Sequence, residues 1–416
     1  MRYDFIEIGT SDFDTLIEVA SDDTIGLSVD PMQYYLDRLP SRKNVTKVCA
    51  AIGEEGEMDI YYIPEQYLEL HCLPRWIRGC NSVGKPHKFT VQTIGEQMYR
   101  SIVKIDKVKV ISLSELLSDH LVTSIGHLKI DTEGMDHIIL GQLLALVETN
   151  RDLLPQRITF EMDSGVSDMA SLEGIILQLE DLGYSIQRGE ADVTASFERV
   201  EKAYVLYANE VYLPIAEQCV NSINTFSSIP IIVYVLNSTT KIEGALTVNY
   251  RCDIPEIKTV GEYIDRKDPS IYRTLIERPS IVRDALTHFA ETIAFIDADS
   301  IATRYVDNIF SFGGAGSEIP FFVEGIYDYL MVDGHADLET PACKLFGVDQ
   351  GVRRKYRQSG FFVAGKASIP FLEEWREMCL HPEVLKNNAL YAPFNEETIL
   401  NVILWKHNFH QGLPYI

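Results

Sequence analysis

Residues 5–12 read Phe-Ile-Glu-Ile-Gly-Thr-Ser-Asp, a short apolar run that ends in a glycine. This pattern predicts a strand that passes through a tight turn into a helix, and Gly9 lets main-chain amides approach a ligand closely. Asp30 comes 21 residues after Gly9, at the end of the next predicted strand. An acidic residue at this spacing is placed to bind a ribose. The alternative is that Asp30 only caps a strand before Pro31. The turn lacks a G-x-G-x-x-G pattern, which argues against a bound pyrophosphate and allows a cofactor without phosphate.

The rest of the chain alternates short apolar runs with amphipathic stretches, which is typical of parallel strands joined by crossover helices. We therefore predict the α/β class with two α/β domains. The predicted strands of the first domain are 4–8, 26–29, 47–51, 58–63, 109–112, 127–130 and 157–160. Its predicted helices are 12–20, 114–117, 135–148 and 171–182. Residues 187–201 are polar and aperiodic, so we expect the domains to be 1–195 and 196–416.

The composition excludes several classes of protein. The 416 residues carry a formal charge of −24, and residues 1–195 hold 17 basic and 32 acidic side chains. Neither half has the basic excess that nucleic-acid binding requires, so we expect no nucleic-acid partner. Seven scattered cysteines without C-x-x-C spacing indicate free thiols. The longest apolar runs, such as 229–236, are too short for a membrane span. We expect a cytoplasmic protein without a transmembrane segment.

Four segments in order carry a family resemblance: 5–12, Val-Cys-Ala-Ala-Ile-Gly at 48–53, Leu-Lys-Ile-Asp-Thr-Glu-Gly at 128–134, and Ile-Thr-Phe-Glu at 158–161. Together they resemble the FkbM-type S-adenosylmethionine methyltransferases over about residues 3–190. The resemblance implies a Rossmann-like sheet that binds S-adenosylmethionine and O-methylates sugars or other small hydroxyl substrates. It implies that Glu7 and Gly9 border the cofactor, that Asp30 holds its ribose, and that Asp131 lies beside the methyl group.

Methyl transfer to a hydroxyl needs a nearby base. Asp131, Glu133, His137 and Glu161 are the candidates, although Glu133 and His137 also suit a solvated helix start. The long insertion at 64–100 either covers the acceptor or packs as an ordinary loop. One departure from the family pattern is Phe13, which stands where the family has a second glycine.

The second half contains an Asp-x-Asp motif, Asp297-Ala298-Asp299, directly after the apolar run 293–296. The other Asp-x-Asp, at Asp12 and Asp14, opens a predicted helix, where acids are common. Side chains two apart on an extended segment point the same way, so Asp297 and Asp299 can meet one Mg²⁺ or Mn²⁺. Such an ion neutralises a diphosphate leaving group.

Residues 202–416 resemble the GT-A fold glycosyltransferases with a DxD motif, especially the glycogenin-like type. The matching segments are 204–212, Arg278-Pro279 with the following helix, 359–363 and 395–401. The resemblance implies that Tyr207, Asn209 and Tyr212 lie near the base of a nucleotide-diphosphate sugar, and that Glu396 or Glu397 faces a glycan or sugar acceptor as the catalytic base. Arg278 would pair with phosphate; the alternative is a surface ion pair.

The two resemblances predict a bifunctional enzyme of polysaccharide biosynthesis, in which a metal-dependent glycosyltransferase follows a sugar O-methyltransferase. The alternative is a glycosyltransferase with a non-catalytic, methyltransferase-like binding or scaffolding module, which the missing second glycine favours. A nucleic-acid methyltransferase is disfavoured by the charge of both halves.

Overall fold

A computed structural model describes residues 1–162, 167–253, 269–312, 316–324, 340–348, 356–387, 390 and 396–409, with the backbone alone at 269–271, 324 and 340. The chain forms two compact units. The first contains residues 1–180 and 184–197, and the second contains 181–183 and 198–416.

The first unit is a mixed α/β structure with two sheets. Its strands are β1 (Arg2–Ile8), β2 (Gly26–Asp30), β3 (Val45–Cys49), β4 (Ala51–Ile52), β5 (Gly56–Tyr62), β6 (Ser82–Val83), β7 (Lys104–Ile111), β8 (Ser124–Ile130), β9 (Arg157–Glu161), β10 (Ser185–Arg188) and β11 (Asp192–Ser196). Its helices are α1 (Leu16–Val19), α2 (Gln33–Arg38), α3 (Glu65–Leu70), α4 (Lys88–Ile94), α5 (Glu96–Ile102), α6 (Leu113–Asp119), α7 (Asp136–Thr149) and α8 (Met169–Asp181), with short 3₁₀ turns at Arg75–Arg78 and Arg151–Leu153.

The main sheet has the order β10-β11-β9-β8-β1-β2-β3. Strands β3, β2, β1, β8 and β9 are parallel, and apolar side chains of the central strands, such as Ile6, Leu27 and Leu128, are fully buried. The chain runs from β1 outward through β2 and β3 and returns beside β1 as β8. The strand order therefore reverses between β1 and β8, which is where open α/β sheets bind ligands.

Three details of the first unit differ from the sequence predictions. The predicted strand 47–51 is split, because Ala51 and Ile52 leave the main sheet and pair with Val110 and Ile111. The predicted strands 58–63 and 109–112 are β5 and β7 of the same small sheet, ordered β4-β7-β5-β6, in which β5 and β7 are antiparallel. Hydrophobic patterns identify strands but do not assign them to sheets.

The predicted helix 12–20 is much shorter, since only Leu16–Val19 are helical. Ser11 and Asp14 have φ angles of 50° and 55°, and residues in this left-handed region cannot continue a right-handed helix. The polar segment 187–201 is also not a simple linker. Strands β10 and β11 form an antiparallel hairpin there, and β11 completes the sheet against β9.

The second unit is built on one sheet. Its strands are β12 (Val200–Asn209), β13 (Ile231–Leu236), β14 (Leu246–Tyr250), β15 (Ala290–Ile296), β16 (Phe321–Glu324) and β17 (Arg357–Gly365). Its helices are α9 (Leu213–Phe226), α10 (Pro269–Leu275), α11 (Glu277–His288), α12 (Thr340–Leu345), α13 (Ile369–Cys379), α14 (Pro382–Lys386) and α15 (Glu396–Lys406), with 3₁₀ turns at Glu210–Tyr212, Asp307–Ser311 and Lys366–Ser368.

The second sheet has the order β14-β13-β12-β15-β17-β16. The first four of these strands are parallel, and β17 is antiparallel to both β15 and β16. Every residue of β13 is buried, which accounts for its uninterrupted apolar sequence. The order reverses at β12 and β15, so this unit has its own switch point at their carboxyl ends.

All seven cysteines lie within the described residues, and none forms a disulfide. No helix in the described part of the chain is long and apolar enough to cross a bilayer.

Replacement of Gly9 by alanine should destabilise the first unit by about 2 kcal/mol or more, because Gly9 has a φ of +82° and a new Cβ would lie 1.9 Å from the main-chain oxygen of Asp131. Gly174→Ala is the matched control: nothing lies within 4 Å of a Cβ at this position in α8, so alanine should stabilise the helix by about 0.5–1 kcal/mol. Hydrogen exchange of β1 and β8 in a urea series measures both changes. Equal protection of β1 in the two variants would contradict this account of Gly9.

Candidate functional site

A cavity of about 510 Å³, part of it open to solvent, lies in the first unit. Its lining includes Ile8, Gly9, Asp30 and Asp131, which lie at the carboxyl ends of β1, β2 and β8 or directly after them. The cavity therefore opens at the switch point of the main sheet.

Gly9 sets the width of the cavity. Its amide donates to the carbonyl of Val29 over 2.8 Å, and the space that a side chain would occupy is filled by the main chain of Asp131. The turn therefore brings the ends of β1, β2 and β8 together, and it requires glycine at this position.

Asp30 is buried, with 6% of its surface exposed. Its Oδ2 accepts from the Ser11 amide at 2.9 Å, and its Oδ1 accepts from the Met32 amide at 2.7 Å. Burial raises the pKa of Asp30 to about 6, against the opposing effect of these hydrogen bonds. Asp30 thus caps the end of β2, as the alternative interpretation proposed. Each carboxylate oxygen has a second lone pair, so capping is compatible with ribose binding.

Glu7 lies outside the described lining of the cavity. It is fully buried, and its two oxygens accept from Lys129 Nζ at 3.0 Å and from the Leu16 amide at 2.9 Å. Lys129 is its neighbour in the β1–β8 register. In this structure Glu7 links β1 to β8 and to the start of α1.

Three carboxylates, Asp131, Glu133 and Glu161, offer oxygen atoms within 4.8 Å of one another. Desolvation, followed by the charges of Glu133 and Asp136, raises the pKa of Asp131 to about 7. A carboxyl group with a pKa near neutrality can take up a proton during a reaction. Asp131 and Glu133 both line the cavity, as candidate bases must, whereas His137 is not among the lining residues.

Asp136 is a positioning residue that the sequence analysis missed. It is buried at the start of α7, accepts from the Thr132 amide at 3.1 Å, and accepts from the Glu161 amide at 3.0 Å. These bonds hold the turn after β8 against the end of β9. An acid in the first turn of a helix is common, so the position of Asp136 in the sequence does not distinguish it from an ordinary helix-start residue.

The insertion at 64–100 reaches the cavity. Its helices pack on a small core that includes Leu68, Ile77 and Tyr99, and its residues Gly79, Asn81 and Val83 line the cavity. An ion pair from Arg78 to Asp12 holds this wall to the first turn, and Arg38 of α2 also pairs with Asp12, at 2.9 Å.

The second unit brings Tyr207, Asn209 and Asp297 to one edge of its sheet, at the carboxyl ends of β12 and β15. Asn209 caps the following 3₁₀ turn by accepting from the Tyr212 amide at 3.1 Å. Burial and the nearby charge of Asp299 raise the pKa of Tyr212. The predicted nucleotide-site residues after β12 and the Asp-x-Asp motif after β15 thus lie at the same switch point, although they are far apart in the sequence.

The Asp-x-Asp motif is not extended, so our argument from strand alternation was wrong. Strand β15 ends at Ile296, and residues 297–300 form a turn in which the Ser300 amide donates to the carbonyl of Asp297 at 3.0 Å. Asp297 is half-buried and Asp299 is exposed. A Cβ on Gly360 would lie 2.3 Å from Asp297 Oδ2, so this glycine makes room for the carboxylate.

Arg278 is 3% exposed, which is not the surface ion pair considered as an alternative. It pairs with Asp297 at 2.7 Å and more closely with Glu396, and it also contacts Ser359. The Ser359 amide donates to Glu397 at 2.8 Å, and burial raises the pKa of Glu397 to about 7. The predicted residues Arg278, Asp297, Glu396 and Glu397 therefore form one network, in which Arg278 and Glu396 are buried and Asp297 and Glu397 are partly buried. Asn395, at the start of the matching segment, lies outside the described residues.

Comparison with protein families gives one match: residues 7–186 match the model of the methyltransferase FkbM domain. No curated protein matches the chain. The matched segment lies almost entirely in the first unit and includes the residues of its cavity, and the mixed α/β structure of this unit is consistent with a methyltransferase-type domain.

Asp131→Asn should raise the thermal midpoint of the protein at pH 8 but leave it unchanged near pH 4. With its pKa raised to about 7, Asp131 binds a proton more tightly in the folded state than in the unfolded state. The wild-type protein therefore loses stability as the pH rises from about 4 to 7, and the asparagine variant lacks this loss. Calorimetric scans across this range test the prediction, and a difference that is independent of pH would refute it.

Proposed function

We propose that the first unit binds S-adenosylmethionine in its cavity and methylates a hydroxyl group of a sugar or similar small molecule. The observation that carries this proposal is the charge of the cavity. Its described lining contains Asp30, Asp131 and Glu133 but no Lys or Arg. Such a wall suits a cationic sulfonium and is unsuited to a phosphate group.

The residues of the site suit this cofactor in position as well as charge. Gly9 lines the cavity at the end of β1 and lets β8 approach closely, and Asp30 offers acceptor lone pairs to the ribose hydroxyls. When bound, S-adenosylmethionine supplies an electrophilic methyl group. Asp131 takes the proton of the acceptor hydroxyl as its oxygen forms the new bond, and the inserted wall limits the access of water.

For the second unit we propose transfer of a sugar from a nucleotide diphosphate with Mg²⁺ or Mn²⁺. The support is the grouping of Asp297, Asp299 and Tyr212 at the second switch point. Asp297 and Asp299 would hold the ion, and Glu397, with a pKa of about 7, is suited to accept the proton of an acceptor hydroxyl. Burial raises the pKa of the neighbouring Glu396 and Asp297, and the charge of Arg278 opposes this rise.

A second candidate keeps the glycosyltransferase and makes the first unit a non-catalytic binding module. The observation that favours it is Phe13, which replaces the second glycine of the family motif. The two candidates differ in one measurable property, the binding of S-adenosylmethionine.

Calorimetry with the full chain should show that S-adenosylmethionine binds and that Asp30→Ala weakens this binding by tenfold or more, because the ribose loses its hydrogen-bond acceptor. Asp23→Ala removes an exposed carboxylate from the preceding loop and should leave the affinity unchanged. If the wild-type protein gives no heat at millimolar cofactor, the non-catalytic module is the better account.

Thermal shift against nucleotide-diphosphate sugars should give a stabilisation that requires Mn²⁺ or Mg²⁺. Asp297→Ala and Asp299→Ala should each abolish the metal-dependent shift and lower donor hydrolysis by about 100-fold or more. Glu217→Ala, an exposed change on α9, serves as the control. A shift that survives both aspartate substitutions would exclude this metal site.

A further inference from the structure

Cys80, His87 and Glu133 each offer one ligand atom, and these atoms lie within 4.8 Å of one another. Cys80 and His87 belong to the insertion, whereas Glu133 belongs to the turn after β8. The proposed methyl transfer assigns no role to Cys80 or His87. A sulfur, an imidazole nitrogen and a carboxylate oxygen together form the mixed donor set that zinc prefers.

The imidazole of His87 is already oriented for ligation. It is buried, with 4% of its surface exposed. Its Nδ1 accepts from the Thr90 amide at 3.2 Å and lies 2.8 Å from the Thr90 hydroxyl, in the first turn of α4. Its Nε2 lies 3.0 Å from Oε2 of Glu133. A hydrogen bond that fixes one ring nitrogen while the other faces the metal is the usual arrangement of a ligating histidine.

The two segments that carry these ligand atoms are also joined by a hydrogen bond outside the cluster. Ser82 Oγ donates to the carbonyl of Glu133 at 3.3 Å, so the loop that carries Cys80 is tied to the turn after β8. In the described part of the chain, the only basic group within ion-pair distance of Glu133 is His87. Glu133 also lies beside Asp131 and Glu161, so a divalent cation would offset a concentration of negative charge.

We propose that Cys80, His87 and Glu133 bind one Zn²⁺ ion. The separation of 3.0 Å between nitrogen and oxygen suits two ligands about 2.0–2.1 Å from a shared zinc ion. On binding, the Cys80 thiol releases its proton to solvent, and the ring hydrogen of His87 passes from Nε2 to Nδ1. Nδ1 of His87 then carries the ring hydrogen and donates it to the Thr90 hydroxyl.

The bound ion would fasten the insertion to the turn that carries Asp131. Cys80 and His87 are absent from the described lining of the cavity, so the ion belongs to its wall. Glu133 then acts as a ligand, and Asp131 remains as the base. The zinc site does not depend on the identity of the methyl acceptor.

Titration of the full chain with Zn²⁺, after removal of metal and in a reducing buffer, should show one equivalent bound. Cys80→Ser and His87→Gln should each weaken binding by tenfold or more. Cys72→Ser removes an exposed thiol from the same insertion and should leave binding unchanged. With Co²⁺, the wild type and Cys72→Ser should show a thiolate charge-transfer band that Cys80→Ser lacks.

Absence of zinc binding, or unchanged binding in Cys80→Ser, would overturn the proposal; the latter result would point to the carboxylates alone. Circular dichroism and thermal midpoints in a chelator establish that the variants fold. The titrations contain no S-adenosylmethionine, and cofactor binding is measured separately. Failure of the zinc site is therefore distinguishable from failure of the proposed methyltransferase.

Discussion

The contact between Gly9 and the main chain of Asp131 is the constraint on which the first cavity depends. It brings the ends of β1 and β8 to a separation that no side chain at position 9 would permit. The same turn directs the Ser11 amide to Asp30, the acid at the end of β2. One local conformation thus aligns the three strand ends that line the site, and a glycine with a positive φ is the only residue that adopts it without strain.

The two units treat buried acidic groups differently. In the second unit, the Arg278 guanidinium lies between Asp297 and Glu396 and compensates their charge. In the first unit, Asp30 accepts hydrogen bonds from backbone amides, and Asp131 lies near Glu133 and Asp136, whose effect Lys129 offsets only in part. The pKa values of Asp30 and Asp131 rise to about 6 and 7. This arrangement costs stability at neutral pH. The negative charge of the cavity and the raised pKa values would suit the proposed methyl transfer, which needs a site for a cationic sulfonium and a group that accepts a proton.

Sequence reasoning succeeded where the decisive interactions are local. The turn at Gly9, the acid at Asp30 and the strand before Asp131 are each read from a few adjacent residues. It failed where pairing is distant: nothing near Ala51 indicates that it leaves the main sheet for Val110, and the polar composition of 187–201 hides a hairpin. The grouping of Cys80 and His87 with Glu133 is equally non-local. The turn at Asp297 was missed because one hydrogen bond from Ser300 overrides strand alternation.

Phe13 explains why the missing second glycine need not weaken the site. Its φ angle is not among the positive values of the turn, which fall on Gly9, Ser11 and Asp14, so the backbone at position 13 does not require glycine. The Arg78 guanidinium lies 5.4 Å from the centre of the Phe13 ring, and the ring is so close to Gly79 that a Cβ there would lie 2.9 Å from it. Gly79 itself lines the cavity. The Phe13 side chain therefore packs against the insertion that forms one wall of the cavity. The replacement of the family glycine by Phe13 and the presence of this insertion are structurally linked.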